Sequence, residues 1–215
     1  YLNHHKIVYK NVVIVDLTSA FSVLGIMGPA SRELLQTLSD IDFSNQAFPF
    51  LYSQEIDLGF GRCRASRISY AGELGWELYI PTEFTLSIYD VIVSAGESFD
   101  LLDVGFQALD SLRLECGFRH FGHDITSTDT PTEAGLEFTV DHLNKSSFFG
   151  KEAYLTKRNQ IPWRRLLMFT ADDPACLLFG DEAIYRDNRP VGAITSAAFG
   201  HTIGQPVALG YVTLE

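Results

Sequence analysis

The chain has 215 residues. At ordinary domain size that is about 1.4 domains, enough for a proper core without disulfide or metal staples. It is 46% hydrophobic, 13% aromatic and 20% charged, which excludes disordered and fibrous classes. Lys and Arg number 16 against 27 Asp and Glu, a net charge of −11 that repels polyanions and argues against a nucleic-acid role.

The N-terminus, Tyr1-Leu2-Asn3-His4-His5, reads neither as a signal peptide nor as an initiator Met, so the chain is expected to be a piece of a longer polypeptide. Val12 to Leu17 and Phe21 to Met27 are apolar runs of strand length. Gly28-Pro29 breaks the second, and Pro29 suits the first turn of a helix carrying Leu34, Leu35 and Leu38. Strands resume at Ser53 to Leu58. Gly59-Phe60-Gly61 turns the chain into Arg62 to Tyr70, and Ala71-Gly72-Glu73 turns it again into Gly75 to Ile80. Pro81-Thr82-Glu83 predicts a helix start with Thr82 as N-cap. An apolar stripe of Phe84, Ile88, Val91, Ile92 and Ala95 follows, ended by Gly96. Phe106, Leu109, Leu112 and Cys116 predict a second helix with an apolar face, closed by Gly117.

From Gly122 to Phe149 the chain reads as loop, with one strand near Leu136 to Val140. Phe149-Gly150-Lys151-Glu152-Ala153 opens a short helix. Short strands follow at Arg165 to Thr170, Glu182 to Tyr185, Pro190 to Ser196 and Val207 to Leu214, with turns at Gly180-Asp181 and Asp187-Asn188. The last strand stops without a tail. This order predicts an α+β fold of split βαβ (ferredoxin-like) units over residues 1–160. A small all-β, barrel-like domain is expected over 161–215, with the boundary near Gln160-Ile161-Pro162.

Cys63, Cys116 and Cys176 are too few and too scattered for a disulfide framework or a zinc pattern, which points to a reducing compartment. Cys116 is read as a core residue. No apolar run reaches membrane-spanning length.

The densest candidate for chemistry is Tyr70-Ala71-Gly72-Glu73-Leu74-Gly75-Trp76-Glu77-Leu78-Tyr79. Strand alternation sets Trp76, Leu78 and Ile80 on one face, naturally the core. Gly75, Glu77 and Tyr79 share the other, with Gly75 leaving space above. A carboxylate accepts two parallel bonds from an amidine-like N–H pair, the edge a pterin or guanine presents, and Tyr70 supplies an aromatic wall. The plainer alternative is an ordinary hairpin with exposed Glu and Tyr. Arg62, Arg64 and Arg67 are the one basic cluster, either a solvated strand edge or an anchor for an anionic tail. Asp110 and Arg113 read as an ion pair on a helix face. His120, His123 and Asp124 lack a spaced third ligand, so no metal is expected. No Gly-x-Ser-x-Gly or dinucleotide-binding fingerprint is present.

Several motifs in order make the chain resemble the folate-binding aminomethyltransferase family, the T-protein of the glycine cleavage system. Val15-Asp16-Leu17-Thr18 leads to Gly25-Ile26-Met27-Gly28-Pro29-Ala30, and Tyr70 to Glu77 matches the family's Tyr-x-Gly-Glu-x-Gly-aromatic-Glu signature. Asp110-Ser111-Leu112-Arg113-Leu114-Glu115, Gly122-His123-Asp124-Ile125, Thr130-Pro131-Thr132-Glu133-Ala134-Gly135-Leu136, Phe149 to Ala153 and Val191-Gly192-x-x-Thr195-Ser196 follow. The wording is most similar to the C-terminal portion of the sarcosine and dimethylglycine dehydrogenase branch, notably Phe43 to Phe50 and Phe118-Arg119-His120-Phe121.

The resemblance implies a tetrahydrofolate-binding portion that passes a one-carbon unit from an N-methyl amine to tetrahydrofolate, giving 5,10-methylenetetrahydrofolate. It implies FAD only on a separate oxidase domain or subunit as partner. It places Glu77 as the pterin-binding glutamate, Tyr70 as its aromatic neighbour, and Leu78 and Tyr79 as lining residues. Leu109 stands where the glycine-cleavage enzymes carry a folate-contacting arginine. The family's catalytic aspartate is expected in a portion preceding Tyr1, and Asp16 matches a different, structural aspartate, so no catalytic residue is assigned and this chain alone is expected to be inactive. The implied location is the mitochondrial matrix in a eukaryote or the cytoplasm in a bacterium. A stand-alone T-protein and a non-catalytic regulatory module on the same fold are the alternatives.

Overall fold

The alternating runs Phe21–Met27, Ser53–Leu58 and Gly75–Pro81 are strands of one antiparallel sheet. The computed structural model describes residues 2–5, 11–140 and 147–214. The chain divides into two units, one of Tyr1–Ser69 with Glu73–Asp103, the other of Tyr70–Gly72 with Val104–Glu215.

In the first unit, one turn of helix α1 (Leu2–His5) precedes β1 (Phe21–Met27), α2 (Ser31–Leu38), β2 (Ser53–Leu58), β3 (Gly61–Ser66), β4 (Gly75–Pro81) and α3 (Thr85–Gly96). The sheet order is β1-β4-β3-β2, antiparallel throughout. One face is covered: Trp76, Leu78 and Ile80 of β4 pack with Leu34, Leu35, Phe43, Phe48, Ile56, Ile88 and Ile92 in a single core. Each such side chain contributes about 1.5–3 kcal/mol by leaving water. Trp76 is the centrepiece, edge-on to Phe43 at 5.4 Å and to Phe48 at 6.0 Å. The guanidinium groups of Arg32 and Arg67 lie 5.4 and 5.6 Å from its ring centre.

In the second unit, α4 (Phe106–Glu115) and α5 (Lys151–Arg158) precede β5 (Arg164–Thr170), β6 (Ala183–Arg186), β7 (Arg189–Gly200) and β8 (Gln205–Thr213). These strands form a second antiparallel sheet, order β5-β8-β7-β6. Asp187 and Asn188 both take positive φ, 51° and 63°, and close the β6–β7 hairpin as the expected two-residue turn. Mixed helix and strand with two antiparallel sheets is the expected α+β class.

Several expected elements differ. Val12 to Leu17 is not a strand. Its side chains are largely exposed, and Asp16 takes the Thr18 N–H and hydroxyl at 2.9 and 2.6 Å, closing a local turn instead of a ladder. β3 ends at Ser66 rather than Tyr70, because the Ile68 N–H bonds back to the Ser66 carbonyl and bends the chain away. Thr82 caps nothing. Its hydroxyl donates to the Ser19 carbonyl, and a 3₁₀ turn, Thr82–Phe84, precedes α3. Glu137–Thr139 is a 3₁₀ turn, not a strand, held by Thr139 and Val140 amides bonding back to Leu136 and Glu137 carbonyls.

The largest correction concerns α4. Phe106 is 89% exposed and Cys116 is exposed, so the expected apolar stripe is not the buried face. The buried residues are Ser111, Arg113 and Leu114. Specific polar bonds, not apolar periodicity, orient this helix.

Candidate functional site

The antiparallel pairing of β4 with β1 on one side and β3 on the other fixes which residues share the open sheet face. Glu77 lies opposite Gly25 of β1 and Ser66 of β3, and Tyr79 lies opposite Val23 and Arg64. Glu77 and Tyr79 are half-buried, on the face expected for them. The Tyr79 hydroxyl donates to Glu77 Oε2 at 2.7 Å. This bond, then burial, then the Glu77 charge push the Tyr79 phenol above its ordinary range. The bond occupies Oε2 of the carboxylate.

Leu78 points the opposite way. Its side chain is fully buried in the core, so it supports the site from beneath and does not line the open face. The space expected over Gly75 is also filled: a Cβ there would stand 2.2 Å from Met27 Sδ and 2.6 Å from the Ile26 carbonyl oxygen. The open position beside Glu77 is Gly25 on the neighbouring strand.

The arginines do not act as one cluster. Arg62 makes two bonds to the Asp57 carboxylate across the β2–β3 hairpin, at 2.8 and 3.1 Å. Arg64 stands 3.6 Å from Glu55, and both pairs are exposed. Arg67 turns inward to the Phe48 carbonyl and the Trp76 ring.

Tyr70 belongs to the second unit. Its ring stacks on Phe118 and its hydroxyl donates to the Arg119 carbonyl at 3.1 Å. Burial pushes its phenol up.

The same unit holds a network that sequence reasoning took for a surface ion pair. Arg113 is fully buried, with Nε on Asp110 at 2.7 Å and Nη1 on Asp124 at 2.6 Å and on the Phe118 carbonyl at 2.9 Å. Its Nη2 donates to Ser196 Oγ at 2.9 Å. Asp124 also accepts the Thr195 hydroxyl at 2.5 Å and the His120 N–H at 2.8 Å. Burial alone would raise the Asp124 carboxyl; the bonds from Thr195, His120 and Ser196 and the Arg113 charge outweigh it and hold the carboxyl below its ordinary value. Asp124 is thus committed to Arg113 rather than to a metal. Among the described residues no group of three His, Cys, Asp or Glu is placed to hold a metal ion.

A β-bulge between Ile194 and Ser196 explains how both hydroxyls of one strand reach this network, since neighbours in a regular strand point to opposite faces. Gly192 allows β7 to approach β8, where a Cβ would lie 1.8 Å from the Tyr211 carbonyl oxygen. Thr130 and Glu133 form a reciprocal capping pair, Thr130 N–H to Glu133 Oε2 at 2.9 Å and Glu133 N–H to Thr130 Oγ1 at 3.2 Å. Arg113, Asp124, Thr130, Glu133, Thr195 and Ser196 of the later motifs are thus joined in hydrogen bonds within the second unit. The signal missed was two polar residues, Ser111 and Arg113, among the three buried positions of the helix, with hydroxyls waiting in Thr195-Ser196.

Comparison with known proteins agrees with this fold. Residues 1–145 match the GCVT N-terminal domain, and residues 164–215 match the glycine cleavage T-protein C-terminal barrel domain. The chain is 38% identical over 206 residues to 4-methylaminobutanoate oxidase (formaldehyde-forming) of Paenarthrobacter nicotinovorans, covering 96% of this chain and 25% of that protein. It is 39% identical over 199 residues to mitochondrial sarcosine dehydrogenase of Mus musculus, covering 93% of this chain and 22% of that protein. The chain thus spans about a quarter of the length of these curated relatives. The crystal structure of the glycine cleavage system aminomethyltransferase T from Bartonella henselae matches with a TM-score of 0.76 at 27% identity, over 89% of this chain and 51% of that one. Two family domains matched in order, and relatives of both the aminomethyltransferase and the N-methylamine-oxidising kind, make this chain a member of the glycine cleavage T-protein family.

Proposed function

We propose that this chain is the tetrahydrofolate-holding portion of an enzyme that oxidises an N-methyl amine, and that Glu77 and Tyr79 receive the pterin edge. The observation that carries this reading is the Glu77–Tyr79 pair on an open sheet face beside a residue without a side chain. A pterin presents adjacent N–H groups in one plane. A carboxylate with one oxygen anchored by a phenol accepts them in a fixed orientation and loses little freedom on binding.

Tetrahydrofolate held there would supply the two nitrogens that take up the one-carbon unit of the oxidised N-methyl amine, giving 5,10-methylenetetrahydrofolate and releasing the amine as its ammonium ion with the two folate N–H protons. Orientation of the pterin is the task assigned to this chain, because holding two partners in line removes much of the entropic barrier. The oxidation belongs to an FAD-bearing portion, to which no residue here is assigned. No residue here is named as the catalytic acid or base. Tyr70 as an aromatic neighbour of the ligand is a separate proposal, tested by Tyr70→Ala in the titration below.

The experiment is calorimetric titration of 5-formyltetrahydrofolate, a stable folate of the same pterin edge, into the chain and into Glu77→Ala. Loss of the carboxylate leaves ligand N–H groups unpaired, an expected cost of about 2–4 kcal/mol in affinity. Equal affinities would remove Glu77 from the site.

A further inference from the structure

We infer that Gly25 is a specificity-determining residue: its missing side chain is the opening through which a flat ligand edge reaches the Glu77 carboxylate. The inference rests on the folate reading above and names a residue that reading does not contain.

Gly25 is directly opposite Glu77 across the β1–β4 pair. The phase of that pairing is fixed at its end, where the Gly28 N–H donates to the Leu74 carbonyl at 2.8 Å. Hydrogen-bonded and non-hydrogen-bonded pairs alternate from there, so Gly25 and Glu77 form a non-hydrogen-bonded pair. Side chains stand closest at such pairs, with Cα atoms about 4.5 Å apart. A Cβ at position 25 would have no Glu77 atom within 4 Å, whereas a larger side chain there would extend over the strand face that carries Glu77.

The backbone does not require glycine here. Gly25 has no positive φ, and a Cβ would meet only Met27 Cε, at an ordinary contact distance of 3.4 Å. Gly25 is exposed, in the middle of a seven-residue strand where glycine is unfavourable and β-branched residues are preferred. Folding therefore gives no reason for the missing side chain, whereas access to Glu77 does. Gly75, two residues before Glu77, is the contrast, since Met27 and the Ile26 carbonyl occupy its space. On the other flank, Ser66 is small and its hydroxyl donates to Ser53 at 2.9 Å, away from Glu77. The carboxylate is thus bounded by Tyr79 along its own strand and is open over Gly25.

The test uses 5-formyltetrahydrofolate with four proteins: the chain itself, Gly25→Ala, Gly25→Val and Glu77→Gln. Thermal unfolding is measured in parallel. Gly25→Val is expected to bind about tenfold or more weakly, since overfilling a close-fitting contact is costly. Gly25→Ala is expected between it and the parent chain. Both Gly25 variants should melt at or above the parent temperature, so lost binding is not lost folding. Unchanged binding in Gly25→Val together with weakened binding in Glu77→Gln overturns the role of Gly25 and leaves the folate reading standing. Unchanged binding in Glu77→Gln, or no binding by the parent chain, overturns the folate reading, and the role of Gly25 falls with it. A lowered melting temperature in both Gly25 variants would show that glycine serves the fold, again overturning the inference.

Discussion

Tyr79 and Glu77, two residues apart on one strand face, are joined by a 2.7 Å bond in which the phenol donates to Oε2. The neutral phenol is the form this bond favours, so the Tyr79 titration is raised. Its contribution to stability is present below the ordinary phenol value of about 10 and is lost as pH rises through the raised value. In Glu77→Ala the Tyr79 phenol should ionise at lower pH than in the parent chain, read by ultraviolet titration. An unchanged titration would show that the bond does not govern the phenol.

The Arg113–Asp124 pair is buried on both sides and has a 2.6 Å contact. Replacing either partner alone strands the other without its counter-charge, so Asp124→Asn should cost about 3–5 kcal/mol in urea unfolding. Arg113→Met with Asp124→Leu should cost clearly less than the sum of the single changes. The Asp124 carboxyl is held low, so its contribution is present above the ordinary aspartate value of about 3.9 and fades as pH falls through the folded value. Additive single costs in the double variant would sink this account.

Gly75→Ala should destabilise by about 1–3 kcal/mol, because the new methyl meets the backbone oxygen of Ile26 and the Met27 side chain together. Met27→Ala should relieve only part of this, since the carbonyl at 2.6 Å remains. Denaturant midpoints of the single and double variants check it. Full rescue by Met27→Ala would mean that the sulfur alone was the obstacle.

The Cys63 thiol is buried on the core face of β3, and burial, followed by the nearby Asp57 charge, pushes it up to about 11. The thiolate is the reactive form, so Cys63 should resist a thiol-specific reagent at neutral pH until the protein is denatured. Cys116, exposed, and Cys176, half-exposed, should label first. Mass spectrometry of the labelled peptides gives the order, and early labelling of Cys63 would contradict the packing.

Period-two patterns were readable wherever one sheet face was buried. That is why Phe21–Met27 and Ser53–Leu58 were located to the residue, and why Trp76 and Glu77 were assigned to opposite faces. The misreadings share a cause. Val12 to Leu17 has strand composition, but a side-chain turn at Asp16 claims its backbone. On α4 Phe106 and Cys116 are outside, and the buried Arg113 is compensated by groups that follow it by up to 83 positions, at Ser196. Such partners leave no local periodicity. The candidate site was legible as to Glu77 and Tyr79. It was not legible as to Gly25, because only strand register reveals which glycine faces the carboxylate.

The bulge in β7 also governs which changes in chain length this strand can absorb. Beyond Thr195, the residues Ser196 to Gly200 pair with Leu209 to Gln205 in a frame displaced by the extra residue. Deleting Thr195 would close the bulge with Ser196 to Gly200 still opposite the same β8 residues, and would take the Thr195 hydroxyl away from Asp124. A one-residue insertion or deletion away from the bulge would instead exchange the facing of the side chains on one side of it. Natural length variation in this hairpin is therefore expected at the Asp187-Asn188 and His201–Gly204 turns, not within β7.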